Sequence, residues 1–360
     1  MKLTGMPTWG KRAALVAGAA GVVAAGAAVG LAAERYAAGK SFRGDDTEAD
    51  EPLGEIRGRL VPVGTTDGVQ LHVEVDDARS GDVSDVTVVF CHGLALDMGS
   101  WHYQRRDLGD IGRLVFWDQR GHGESGHGSA ENMTIDQLGR DLTSVIEATA
   151  PTGPLVLIGH SMGGMTIMAL AGQHPELFGD RVIGVALVST SAGKLAELGL
   201  GVPGAAGRAL MKVAPRALAA LNRRPDLVSR GLTVGADLQF VLTKRYSFGT
   251  DVPPSLTRFV AKMHAQTALD VIVSLMPAFT AHDKLGALGA LAGVETLILG
   301  GEKDLLTPAD HSREIAEHVP GAKLVILPDA GHMIMLEHYH VVTDHLRDLV
   351  ERARRSARAA

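Results

Sequence analysis

Ser161 lies within Gly159-His160-Ser161-Met162-Gly163, directly after the apolar run 155–158 and before the helix-like run 165–171. A serine between paired glycines at a strand-to-helix turn is pushed out of the backbone, and the helix behind it favours developing negative charge. The glycines alone would also suit an inert turn of small residues. A serine hydroxyl is a poor nucleophile until a base removes its proton, so a histidine and a carboxylate that orients it are needed. Both follow in the chain. Asp304 ends Gly300-Gly301-Glu302-Lys303-Asp304, just after the apolar run 296–299, and His332 ends Asp329-Ala330-Gly331-His332, just after the run 324–327. Glu302, Asp310 and Asp329 are neighbouring carboxylates that compete with Asp304 for the role. Acyl transfer also requires two backbone N–H groups for the oxyanion. Met162, next to the serine, is one donor. Leu94 in Cys91-His92-Gly93-Leu94-Ala95 is the other, with Ala95 as its alternative.

These residues need a scaffold that brings three distant loops together. From Glu55 onward the chain supplies one. Two β-prone stretches around Thr66-Asp67-Gly68 read as a hairpin. Short continuous apolar runs then recur at 86–90, 114–117, 155–158, 183–188, 296–299 and 324–327. Such runs suit parallel strands buried on both faces, with helices between them. Thr134 with Gln137 reads as a capping box opening one of those helices. Ser161, Asp304 and His332 each follow a run, which puts them at the C-terminal edge of the sheet, where open α/β sheets place their sites. Between the strand near Val188 and the one near Thr296 about a hundred residues lack a convincing strand. With helix-like segments at 205–213, 236–243 and 255–276, the interval is expected to be an inserted helical lid.

His92-Gly93, then Asp118-Gln119-Arg120-Gly121-His122-Gly123-Glu124-Ser125, then Gly159 to Gly164, and finally Gly301, Asp304, Pro308, Gly331-His332 and Glu337 together resemble the α/β-hydrolase superfamily. The resemblance implies a mostly parallel eight-stranded sheet flanked by helices, with a lid at about 194–285 inside a hydrolase domain at 55–360. It also implies a cofactor-free serine hydrolase that cleaves carboxylic esters through an acyl-enzyme, on a small-molecule substrate with an apolar acyl group. Branches with Asp at the nucleophile position are excluded by Ser161. A cofactor-free haloperoxidase or perhydrolase, which usually carries a proline near Ala95 and another residue in place of His160, stands as an alternative, as does a thioesterase or C–C bond hydrolase. A catalytically silent binding protein on the same fold is the non-enzyme alternative. The 118–125 stretch reads as a structural turn beside the site.

A formal net charge of −6 over 360 residues argues against nucleic acid as a partner. Cys91, the single cysteine, ends an apolar run and reads as a buried packing thiol. His338, His340 and His345 lack the spacing of a helical metal site, so no metal is expected. Residues 13–33 are uncharged throughout and long enough to cross a bilayer as a helix. They are expected to anchor the protein in a membrane, with a cleaved export signal or an Ala-rich leader as alternatives. The acidic stretch up to residue 54 reads as a solvated tether.

Overall fold

The computed structural model describes residues 46–79, 86–195 and 236–359. The apolar segment 13–33 and the helix-like stretch 205–213 lie outside them. Among the described residues, no helix is long and apolar enough to cross a membrane.

Eight strands lie side by side in the order β1 (Arg59–Leu60), β4 (Val73–Asp76), β6 (Arg113–Trp117), β5 (Thr87–Cys91), β7 (Leu155–His160), β8 (Val182–Val188), β9 (Glu295–Gly301) and β10 (Lys323–Leu327). The β1–β4 and β4–β6 pairs are antiparallel, and every pair from β6 to β10 is parallel. Each run read from the sequence as a strand is one. Around Thr66-Asp67-Gly68, β2 (Val63–Gly64) and β3 (Gln70–Leu71) form a separate two-stranded hairpin.

Alternation along the parallel strands divides the interior into two cores. Val88 and Phe90, Leu114 and Phe116, Val156 and Ile158 face one side, where they meet α1 (His102–Asp107) and the C-terminal helix α9 (Tyr339–Ala359). Val89 and Cys91, Val115 and Trp117, Leu155 and Leu157 face the other, against α2 (Ile135–Thr149), α3 (Met162–Gln173) and α7 (Ala309–His318). Successive side chains on a strand point to opposite faces, so strands covered on both sides must be apolar throughout. Cys91 is fully buried, and burial pushes its thiol up to about 12, which keeps it an inert packing group. The Thr134 hydroxyl caps α2 by accepting from the Gln137 N–H at 3.1 Å. The return half of the expected capping box is not made. The Gln137 side chain turns instead to Asp141 and Arg140.

Between β8 and β9 the described chain forms α4 (Ala236–Ser247), α5 (Pro254–Gln266) and α6 (Leu269–Thr280). The helix-like stretch 255–276 is therefore two helices. They break at Thr267 and Ala268, both in extended backbone, and the polar Gln266-Thr267 pair ends the apolar periodicity. The two ends of the interval meet below these helices, where the Lys284 N–H donates to the Ala192 carbonyl at 2.6 Å.

The described part of the acidic stretch corrects the reading of a solvated tether. Asp46 accepts from the Ser255 N–H and hydroxyl at 3.2 and 2.5 Å, capping α5 from outside its own chain segment. Glu48 accepts from the Tyr103 hydroxyl at 2.8 Å, and Glu51 accepts from His102 Nε2 at 2.7 Å and Arg106 at 3.0 Å. Leu53 packs on the core. Charge density suggested hydration, whereas each of these carboxylates has a donor waiting on α1 or α5. Asp46→Ala is expected to cost about 1 kcal/mol, the usual worth of a helix cap, and to lower Tm by about 2 °C. Thermal unfolding followed by circular dichroism checks this, and an unchanged Tm would count against the docked segment.

Candidate active site

The turn at Ser161 is built from backbone contact. The serine sits at φ 52° and ψ −118°, a strained conformation for a residue with a side chain. Its neighbours enforce it. A Cβ on Gly159 would lie 2.5 Å from the carbonyl of Gly163, and one on Gly163 would fall on the carbonyl oxygen of Cys91. Helix α3 therefore presses directly against the ends of β5 and β7. The Ser161 N–H donates to Val188 O at 2.9 Å, and the Thr190 hydroxyl donates to Ser161 O at 2.7 Å. Both of its own peptide groups are thereby fixed at the N-terminus of α3.

His332 and Asp304 meet at the ends of β10 and β9. His332 Nδ1 donates to Asp304 Oδ2 at 2.8 Å, and both side chains are almost wholly buried. Asp304 is itself held by three further donors. The N–H groups of Leu306 and Thr307 reach Oδ1 at 2.8 and 2.9 Å, and the Thr307 hydroxyl reaches Oδ2 at 2.8 Å. The competing carboxylates face elsewhere. Glu302 and Asp310 both pair with Arg313, and Asp329 pairs with Lys303, all on exposed side chains.

His160 joins the serine to the histidine. Its ring lies 4.7 Å from that of His332, and its Nε2 donates to the His332 carbonyl at 3.0 Å. Ser161 Oγ makes no hydrogen bond among the described residues, and His160, the residue before it, is the one in contact with His332. Hydrogen bonds between catalytic groups commonly tighten only when substrate binds.

The Leu94 loop is tied down from below. His92 Nδ1 donates to Gly93 O at 2.7 Å, and its Nε2 accepts from the Gln119 N–H at 2.9 Å. Gln119 Nε2 donates to His92 O at 2.5 Å, and its Oε1 accepts from the Thr166 hydroxyl of α3 at 2.7 Å. Ala95 has φ 56°, so the loop turns sharply just beyond Leu94. Among the described residues, no hydrogen bond occupies the backbone N–H of Leu94 or of Met162. The 118–125 turn is as structural as expected. Arg120 is wholly buried between Asp67 and Asp141, and Asp118 holds the N–H groups of Met98 and Glu124. Trp101 is packing rather than pocket wall, with its ring edge-on to Phe90 at 5.3 Å and to His160 at 6.4 Å.

Sequence reasoning left three groups unassigned. Thr307, which braces Asp304, was detectable only as a hydroxyl three residues further along the same loop. His160 carried no signal beyond its place in the motif. Glu337 belonged to the pattern without a role, because its partners lie on another segment. Of the apolar residues between 236 and 280, Phe248 in the α4–α5 link and Met263 on α5 join the core that contains Met333. Val271 and Leu275 cluster with Met162 and Met165, with Leu94 and Phe279 packed against them. The first four side chains are buried against one another beside the serine's turn, and Leu94 and Phe279 stay partly exposed there.

A model of the alpha/beta hydrolase fold matches residues 86–339, and the chain belongs to that family. It is 26% identical over 257 residues to the dihydrolipoyllysine-residue acetyltransferase component of an acetoin cleaving system from Pseudomonas putida, covering 71% of this chain and 61% of that one. It thus spans less than two thirds of that relative's length. It is also 26% identical over 268 residues to an sn-1-specific diacylglycerol lipase of Mus musculus, covering 71% of this chain and 77% of the lipase. An esterase from Exiguobacterium antarcticum superposes with a TM-score of 0.64 at 21% identity, covering 82% of this chain and 99% of the esterase, a likeness of fold.

Buried neutral histidines make the fold sensitive to acid. Loss of hydration holds His92 down to about 3 and His122 and His264 to about 4, and it lowers His160, His282, His311 and His345 as well. Below pH 6.5 the unfolded chain binds more protons at these seven positions than the folded chain does, so stability falls as pH falls. Burial raises Asp118 to about 7 and also raises Asp97 and Asp141, which opposes the trend with three groups against seven. Tm is expected to be lower at pH 5 than at pH 7. Calorimetry at the two values decides, and an equal or higher Tm at pH 5 would contradict this balance.

Proposed function

We propose that this protein is a serine hydrolase that cleaves carboxylic esters through an acyl-enzyme. Ser161 is the nucleophile, His332 the general base and Asp304 the residue that orients it. The observation that carries the reading is the buried His332–Asp304 hydrogen bond at 2.8 Å, on a histidine whose carbonyl is held by the residue next to Ser161. His332 takes the serine proton as Oγ attacks the ester carbonyl. Asp304 fixes Nδ1 as the protonated nitrogen, which leaves Nε2 free to act, and stabilises the imidazolium that forms. The unoccupied N–H groups of Leu94 and Met162 receive the oxyanion at the N-terminus of α3. His332 then returns the proton to the leaving alcohol. Water, activated by the same histidine, releases the acid. The lipase relative supports an ester as substrate, and the partly exposed Leu94 and Phe279 beside the Met162 cluster support an apolar acyl group. The helices between β8 and β9 serve in this reading as a lid.

Ser161→Ala should lower kcat on a chromogenic ester by about a thousandfold or more with the fold intact. Asp304→Asn should cost about as much by leaving His332 in the wrong tautomer. Asp329→Asn and Glu302→Gln should stay near wild type. Activity surviving the first substitution, or lost with the last two but not the second, would overturn the assignment.

Residues 13–33 we propose to be a membrane anchor, on the strength of their uncharged length alone. Full-length protein should then pellet with membranes and resist carbonate extraction. Recovery of the intact mass entirely in the soluble fraction would refute the anchor.

A further inference from the structure

Glu337 closes the short helix α8 (Ile334–Glu337), five residues after His332. Its carboxylate collects donors from two directions. On one side, the Gly331 N–H, immediately before His332, donates to Oε2 at 2.7 Å. On the other, the link between α4 and α5 supplies the Gly249 N–H at 2.9 Å, the Thr250 N–H at 2.6 Å and the Thr250 hydroxyl at 2.6 Å, all to Oε1. No lysine, arginine or histidine forms an ion pair with it among the described residues, so its charge is met by these donors. Hydrogen bonds of backbone N–H groups to a carboxylate are among the stronger ones a fold makes.

The two segments it joins lie flat on each other. A Cβ on Gly331 would come within 2.6 Å of Gly249 N, and the Met333 N–H donates to Ser247 O at 2.8 Å. The peptide preceding His332 is thus fixed by Glu337, its ring by Asp304, and its carbonyl by His160. Of these three anchors, Glu337 alone also holds the α4–α5 link. We propose that Glu337 is a positioning residue that couples the α4–α5 link to His332, keeping the general base in register with Ser161 while that link is docked. Opening of the covering helices would release the Gly331 peptide and withdraw the base, so turnover requires the closed arrangement. The proposal rests on His332 acting as the base.

The test uses the full-length chain, with Glu337→Ala, Glu337→Gln and Thr250→Val compared with wild type on a chromogenic acetate ester. A fluorophosphonate titrates the active serine in each sample, so kcat is expressed per titrated site. A misplacement of the base by an ångström costs about a hundredfold. Glu337→Ala should therefore lower kcat per site about ten- to a hundredfold with KM within about threefold. Glu337→Gln, whose amide keeps one acceptor and sets a donor against the other segment, should fall between it and wild type. Thr250→Val, which removes only one donor from the covering side, should lower kcat by about threefold. A merely structural role would reduce the titratable fraction and leave kcat per site unchanged. If both Glu337 variants, or Glu337→Gln alone where the alanine variant does not fold, stay within twofold of wild type per site, the proposal is wrong. The nucleophile assignment would survive that result, since it fails only if Ser161→Ala stays active.

Discussion

The approach of helix α3 to the ends of β5 and β7 is the constraint from which the rest of the site follows. Only glycine at 159 and 163 lets the helix lie against the carbonyls there. That contact forces Ser161 into φ 52°, at a cost on the order of 1–3 kcal/mol. The surrounding structure holds the strain in place, since both cores of the sheet pack beneath it. In return the serine stands clear of the backbone at a helix N-terminus, with its own amide and carbonyl already satisfied. The adjoining N–H of Met162 takes no hydrogen bond among the described residues.

Three supports converge on this turn from separate parts of the chain, and each is a hydrogen-bonded network with little slack. Below the Leu94 loop, the His92–Gln119–Thr166 chain links that loop directly to α3. At the far side, Asp304 with four donors sets the His332 ring. On a third side, the α4–α5 link rests on the stretch around Gly331, and α5 is capped in turn by Asp46 from the N-terminal segment. Buried polar groups this completely satisfied rigidify a site, because breaking any one leaves its partner desolvated. The segment leading in from the N-terminus is therefore joined through α5 to the link that rests on Gly331.

Much of this was legible in the sequence. Strands buried on both faces must be apolar at nearly every position, which made five of them readable as plain runs, and the half-exposed edge strand β10 reads as a run as well. Residues that follow such runs must share one sheet edge, so Ser161, Asp304 and His332 were placed together without knowing the register. Where the reading stopped, the cause is also physical. Asp46, Glu48 and Glu51 looked solvated because charge is local in sequence while their donors, Ser255, Tyr103 and His102, are distant. The break at Thr267 and Ala268 was hidden because apolar residues recur on both sides of it. Glu337 could be recognised as part of a pattern, but its partners at Gly249 and Thr250 meet it only through the fold.

The central claim is that Ser161 carries the acyl group. Rapid quenching of the protein with a slowly released ester, followed by peptide mass spectrometry, tests it most directly. The account predicts one added acyl mass per chain, on the peptide containing Ser161, appearing before steady state and absent from Ser161→Ala. Acylation of another residue, or steady hydrolysis with no acylated Ser161, would contradict it.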